Sequence, residues 1–268
     1  MLDDLLRARK DLTENDRNFL QRVIESLQLL ADIARADILL YCRTDRADSA
    51  VVVAEAKPNT VPTIHPEPML NRTVTKGDEP AVLRTLAGGK SETVVNRVLV
   101  HGSPTIQEVF PVHNEDRVIA VLSIETSMLE RERQRKKSIV FRRAVAQMRN
   151  MVLRGQLGGG GNIGPLGEHD GPMVIDSRGY FVYISSIAEN LYRKLGYTHS
   201  LLGTRVADLN TDESVFFKAL ETGACVEQLV QEGSLVWVKK AIPLLTSNRQ
   251  SWAGRLIPFR REMDGAIV

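Results

Sequence analysis

The stretch Ile106–Thr126, IQEVFPVHNEDRVIAVLSIET, sets two apolar, β-rich runs on either side of the polar turn Asn114-Glu115-Asp116. So short a connection cannot hold the long crossover that parallel strands require, so the two runs pair as antiparallel strands. The same grammar recurs upstream. ADILLYCR (Ala36–Arg43) and SAVVVAEAKP (Ser49–Pro58) flank a polar turn at Thr44–Asp48. Downstream, PMVIDSRGYFVYIS (Pro172–Ser185) reads as strand, Asp-Ser-Arg-Gly turn and strand, with Gly179 where a positive φ costs little. Hairpins in both halves with helical segments beside them predict an α+β class, each half a mainly antiparallel sheet with helices.

Helical periodicity fills the intervals. Thr13 and Asp16 form a capping-box pattern ahead of Asn15–Ala36, where Phe19/Leu20, Val23/Ile24, Leu27 and Leu30/Ala31 recur every three or four residues, predicting one amphipathic helix. Pro58, Pro62, Pro66 and Pro68 exclude regular structure across KPNTVPTIHPEP, and a long excursion runs on to about residue 104 with a short helix near Pro80–Gly89. From Met128 to Arg154 nothing breaks a helix, which at 1.5 Å per residue spans about 40 Å. The glycines of LGGGGNIGPLG (Leu157–Gly167) end it. In the second half, helices are expected over Ser186–Tyr197 and Asp212–Gly223. Strands follow over CVEQLVQEG, SLVWVKKAIPLL, WAGRLIPFRRE and GAIV. The organisation expected is a first domain over 1–154 that includes helix 128–154, a Gly-rich linker over 155–165, and a second domain over 166–268.

At 268 residues, 43% hydrophobic and 25% charged, the chain suits two soluble domains, and a net charge of +2 does not advertise it to nucleic acid or membrane. No apolar run approaches the ~20 residues of a membrane span. The charged opening MLDDLLRARKD lacks the apolar centre of a signal peptide, so a cytoplasmic location is expected. Cys42 and Cys225 fall in different halves, outside any C-x-x-C, and read as buried free thiols.

Several motifs dissolve on inspection. Gly159, Gly161 and Gly164 spell G-x-G-x-x-G, but a helix runs in and a strand follows, the reverse of a phosphate-binding loop, so a flexible linker is expected. AGGKS (Ala87–Ser91) needs a glycine at position 84 to be a P-loop, and Arg84 stands there. His65, His101, His113, His169 and His199 have no metal-ligand spacing and read as solvated loop residues. Helix 128–154 carries Arg131, Arg133, Arg135, Lys136, Lys137, Arg142, Arg143, Arg149 and Arg154. That is a nucleic-acid footprint or, more simply, a solvated face. Phe141, Val145, Met148 and Val152 give it an a/d seam for core packing or dimerisation. Tyr183, Tyr192 and Trp237 are candidate lining of a ligand pocket between sheet and helices, although aromatics are more often plain core. No paired-carboxylate, Ser-His-Asp or Cys-His constellation can be placed, which favours sensing or binding over catalysis.

The second half resembles a PAS domain, through DGPMVIDSRGYFVYISSIAENLYRKLGY, LLGTRVADL, VWVKKAIPL and DGAIV in that order; Ser185 stands where PAS domains usually have Asn. The first half resembles a GAF domain, through FPVHNEDRVIAVLSIE. LQLLADIARADILLYCR and VVVAEAKPNTVPT are similar to the N-terminal sensor of a group of cytosolic bacterial sensor histidine kinases. The group includes the mycobacterial kinase that signals to an antitermination-type response regulator. The resemblance implies the GAF–PAS sensory input region of such a kinase, whose phosphoacceptor helix and ATP-binding domain would lie in the parent protein. It implies as partners a second copy of the chain, the downstream kinase domains, a cognate response regulator and an unknown small-molecule ligand. It implies no cofactor: the Asn-Cys-Arg-Phe context of a flavin PAS is missing, Cys42 is followed by Arg43 where a bilin site often has His, and His199, the single histidine near the PAS helices, lies in a loop. Two rival readings are a nucleic-acid-binding regulator acting through helix 128–154 and the same sensors controlling a nucleotide cyclase.

Overall fold

A computed structural model describes residues 2–46, 48–100, 103–245 and 263–268. The strand expected over 252–262 and His101 lie outside them. The chain divides into two compact units. One takes the described residues of Met1–Lys137 with Val152–Gln156 and Pro165–Glu168; the other takes those of Ser138–Met151, Leu157–Gly164 and His169–Val268. Each is a mixed helix and antiparallel-sheet fold, as the hairpin grammar requires.

The first unit runs α1 (Leu2–Arg7), α2 (Glu14–Ile24), α3 (Leu27–Ala34), β1 (Asp37–Arg43), β2 (Ser49–Ala56), β3 (Thr73–Thr75), α4 (Pro80–Gly88), β4 (Glu92–Val100), β5 (Ser103–Asn114), β6 (Arg117–Ser127) and α5 (Met128–Lys136). Its sheet has the order β3-β2-β1-β6-β5-β4, every pair antiparallel. On one face Leu39, Tyr41, Val109 and Val121 pack under Ala81, Val82 and Leu86 of α4. Burial of each such side chain contributes roughly 1.5–3 kcal/mol before entropy is set against it. The Thr13–Asp16 capping box forms in full. Asp16 also accepts from Asn114 (2.8 Å) and Arg117, which ties the start of α2 to the β5–β6 turn.

Two expected elements change here. The helix over Asn15–Ala36 is two helices, broken at Glu25–Ser26. On a continuous helix of about 100° per residue Leu29 would stand opposite Leu20. Both are buried, and the break re-aims the second half so that Leu27, Leu29, Leu30 and Ile33 all face apolar surroundings. The excursion to residue 104 contains two further strands, β3 and β4. The run ETVVNRVLV forms an edge strand whose first residues are half exposed, so it lacks the apolar alternation of a covered strand. Gly89 is the left-handed C-cap of α4 (φ +65°), which accounts for the glycines of AGGKS.

The second unit holds most of α6 (Ile139–Leu153), then β7 (Met173–Asp176), β8 (Phe181–Ile184), α7 (Ser186–Lys194), α8 (Ser214–Thr222), β9 (Val226–Glu232), β10 (Leu235–Leu245) and β11 (Met263–Ile267). Its sheet order is β8-β7-β11-β10-β9. Ile175, Phe181, Tyr192, Val206, Phe216 and Ala266 form the core beside α7 and α8. Only glycine fits at position 265, because a Cβ there would lie 2.0 Å from the carbonyl oxygen of Ile175 across the β7–β11 pair.

The single helix expected over 128–154 is interrupted. Lys137 is extended (φ −69°, ψ 157°), and the Ser138 hydroxyl accepts from the Val140 N–H at 3.2 Å as an N-cap does. Ser138–Met151 belongs to the second unit, where Phe141 sits 4.9 Å from the Tyr183 ring, so the Phe141–Val152 seam begins on the second sheet and not the first. The glycine stretch also differs from the flexible linker expected. Gly158 bridges Ala224 and accepts from Cys225 N–H at 2.8 Å. Gly159 is left-handed (φ +72°), and the Gly164 N–H donates to Glu227 at 2.7 Å. The absence of side chains lets this backbone lie directly against the start of β9. Both cysteines are buried and free. Among the described residues no helix is long and apolar enough to cross a membrane.

Candidate functional site

Strand register in the first unit sets polar residues in a row. Asp37 of β1 and Gln107 of β5 both stand opposite Glu125 of β6, and Ser123 lies two residues along. Asp37, Gln107, Ser123 and Glu125 are all buried, on the sheet face that carries Leu39 and Tyr41. Buried polar groups must find partners. Glu125 accepts from Ser123 Oγ (2.9 Å), from Gln107 Nε2 (3.2 Å) and, on its other oxygen, pairs with His65 Nε2 at 2.8 Å. Gln107 Nε2 also donates to Glu79 at 2.8 Å. Asp37 accepts from the backbone N–H groups of Ile64 (3.1 Å) and His65 (3.0 Å) and from Thr63 Oγ1. The proline-rich segment is thus fastened to the sheet through Asp37 and Glu125.

The electrostatics follow from burial. Its hydrogen bond to Glu125 holds the His65 imidazole above its ordinary pKa of 6.5, against the opposing effect of desolvation. Desolvation pushes the Glu79 carboxyl up, Gln107 opposes this, and the charge of Glu125 adds to it. Burial likewise drives the Tyr41 phenol far upward, and its hydroxyl finds no hydrogen-bond partner among the described residues. The result is two carboxylates bridged by one amide, beside a hydroxyl with no partner among the described residues. Such a cluster suits a group that donates hydrogen bonds. Among the described residues no three of His, Cys, Asp and Glu gather as a metal-ligand set.

His65 corrects the expectation of a solvated loop histidine: its side chain is 25% exposed and paired with a carboxylate. Its partner lies 60 positions away, and no local motif announces the pair.

The second unit has its own cluster, which includes Tyr192. Lys239 Nζ donates to Glu213 Oε1 (2.8 Å), Glu232 Oε1 (2.9 Å) and the carbonyl of Asp212 (2.8 Å). Glu213 Oε1 also accepts from Tyr192 Oη (2.8 Å) and Thr211 Oγ1 (2.7 Å). In β10 Trp237 stands opposite Val230 of β9 and, by alternation, shares the face of Lys239; its Nε1 has no partner among the described residues. Tyr183 is elsewhere. The register skips Val182, pairing Phe181 with Ile175 and Tyr183 with Val174. This bulge turns Tyr183 to the face away from Phe181, onto Phe141. Tyr192 and Trp237 therefore share one side of the sheet, and Tyr183 lies on the other.

Comparison with known proteins adds to this geometry. A family profile described as "Histidine kinase PdtaS, GAF domain" matches residues 2–145. Two curated proteins, each named sensor histidine kinase PdtaS, from Mycobacterium tuberculosis strains CDC 1551 / Oshkosh and ATCC 25618 / H37Rv, are 26% identical over 286 aligned positions, covering 96% of this chain. The chain spans about half, 55%, of their length. A solved structure titled "Sensor region of a sensor histidine kinase" aligns with a TM-score of 0.70 at 24% identity, covering 100% of this chain and 95% of that one. That likeness is one of fold.

Proposed function

The chain belongs to the family of the histidine kinase PdtaS GAF domain, and from that premise we propose that it is the sensory input region of a histidine kinase. The observation that carries the reading is the family match over residues 2–145, with similarity to curated sensor kinases continuing across 96% of the chain. The first unit is the GAF sensor. The second is read as a PAS domain, a reading supported by its hairpin, its two helices and the returning strands of one antiparallel sheet. The module works as a homodimer in the cytoplasm, and its partners are the downstream kinase domains and a cognate response regulator. A small molecule bearing hydrogen-bond donors reaches the Glu79–Glu125 cluster and displaces Gln107 or His65. Such a ligand changes kinase output to the extent that it binds one packing state better than the other. The nucleic-acid alternative is weakened by the ion pairs that α5 makes within itself and with β5. Arg131 meets Glu108 (2.6 Å), Arg133 meets Glu130 (3.6 Å) and Arg135 meets Glu132 (3.6 Å).

The test is autophosphorylation from labelled ATP in the protein that carries this chain ahead of its kinase core. Glu125→Gln is expected to shift the basal rate by about threefold or more, of the order of a modest allosteric coupling. An unchanged rate with a folded variant removes the cluster from the signalling path. Sedimentation equilibrium that finds only monomer at high concentration removes the dimer.

A further inference from the structure

A second feature of the second unit stands apart from both clusters. The Asp176–Tyr180 turn, the segment around Arg205 and one side of α8 enclose an open cleft of about 590 Å³, lined by Ser177, Arg178, Tyr180, Arg205, Phe217 and Leu220 among others. Its volume lies in the range of small-molecule sites, roughly 300–1,000 Å³.

The cleft is built on fixed backbone. Asp176 Oδ1 accepts from the Arg178 N–H (3.0 Å) and the Tyr180 N–H (2.9 Å), and Gly179 takes φ +84° to close the turn. The turn then pairs with the chain at 203–206. Gly203 N–H donates to Phe181 O (2.9 Å), Phe181 N–H to Thr204 O (3.0 Å) and Val206 N–H to Gly179 O (2.8 Å), with Tyr180 and Arg205 as bridge partners. Arg205 is held opposite Tyr180 by main-chain bonds.

Two guanidiniums converge there. Arg178 and Arg205 place their Cζ atoms 5.5 and 5.6 Å from the Tyr180 ring centroid. Asp176 Oδ2 meets Arg178 at 3.2 Å. Among the described residues no carboxylate pairs with Arg205, so the local charge is one cation in excess. Beside these cations Phe217 is 49% exposed, and its ring lies 5.2 Å from that of the buried Phe216. A large exposed aromatic next to an unneutralised guanidinium fits a ligand that is apolar at one end and anionic at the other.

We infer that this cleft binds a small anion carried on a flat apolar body, such as an aryl carboxylate or aryl phosphate. Arg205 and Arg178 hold the anionic oxygens, and Tyr180, Phe217 and Leu220 take the apolar body. Guanidinium forks match both headgroups in geometry. The site is separate from the Glu79–Glu125 cluster and stands whether or not that cluster signals.

The test titrates isotope-labelled chain with 2-naphthoate, 2-naphthyl phosphate and neutral 2-naphthylmethanol, following amide shifts by NMR. Saturable shifts at Gly179, Arg205 and Phe217 with either anion, about fivefold or more tighter than with the alcohol, support the site; the tighter anion names the headgroup. Arg205→Gln and Phe217→Ser are each expected to weaken anion binding about fivefold or more, the order of one lost charge-assisted contact or one lost apolar contact. Both positions are exposed, and an otherwise unchanged spectrum verifies the fold of each variant. No saturable shift with either anion overturns the inference, as does an affinity that Arg205→Gln leaves unchanged.

Discussion

In the first unit a histidine closes the buried carboxylate cluster; in the second a lysine does. Both clusters join distant segments by the same chemistry. His65 reaches Glu125 from a proline-rich loop, and Lys239 reaches Glu213 at the start of α8. The consequences diverge because an imidazole can change its charge near neutral pH. Lys239 also spends its donors on three acceptors, while the first cluster keeps a carboxyl, Glu79, that burial pushes toward neutrality. The second cluster is a fixed clamp and the first an adjustable one.

The hardest blow to this contrast is Lys239→Met. It strands Glu213 and Glu232 without their cation in a site where Lys239 is 9% exposed. Breaking one partner of a buried pair costs about 3–5 kcal/mol. Urea unfolding followed by amide hydrogen exchange is expected to show the second unit opening early while the first keeps its protection. A loss below about 1 kcal/mol would mean that the clamp is not a clamp.

Next come two tyrosines. Tyr192→Phe removes a hydroxyl that donates to Glu213, and a hydrogen bond to a charged group is worth about 1.5–3 kcal/mol. Tyr41→Phe removes a buried hydroxyl with no partner among the described residues, so it is expected to be neutral or stabilising in the same assay. Equal costs at the two positions would erase the distinction between a hydroxyl that donates to a carboxylate and one with no partner among the described residues.

The glycine stretch sharpens the contrast on a smaller scale. Gly159 is left-handed, and an added Cβ would stand 3.1 Å from the Cys225 carbonyl oxygen; at Gly167 an added Cβ meets nothing within 4 Å. Gly159→Ala is expected to cost the second unit about 1–2 kcal/mol, and Gly167→Ala less than about 0.5 kcal/mol. Thermal unfolding of the two variants checks this. Equal midpoints would return the stretch to a plain linker.

Local signals carried much of the architecture. Apolar runs around short polar turns gave the hairpins β1–β2, β5–β6 and β7–β8, and Thr13, Gly179 and Gly223 punctuate the chain where the reading placed them. What stayed hidden depends on tertiary context. Ser138 starts a new helix only because the two parts of 128–154 serve different bodies. The bulge at Val182 moves Tyr183 to the other face, and nothing in FVYI distinguishes that from plain alternation. Neither His65 nor Lys239 sits in a motif; each becomes meaningful through a carboxylate that the fold, not the local sequence, brings near.

The finest test of the first cluster is its response to pH. The His65 imidazole binds its proton more tightly in the folded chain than at its ordinary pKa of 6.5, chiefly through Glu125. The stability this contributes is therefore complete below about pH 6.5 and disappears as pH rises through the folded value. Glu79 acts in the same direction at lower pH. Its folded pKa lies above the ordinary 4.5 because of burial, so a cost develops as pH climbs from there and the buried carboxylate must ionise. Urea midpoints of the first unit between pH 5.5 and 8.5 are thus expected to fall with rising pH, and His65→Gln, which keeps a hydrogen-bonding side chain without the titrating charge, is expected to flatten that fall. The gap between wild type and variant should be widest at the acidic end and close toward pH 8.5. A gap that is constant or widens with pH would show that the His65–Glu125 contact fastens the loop without its proton, leaving Glu79 as the titrating member of the cluster.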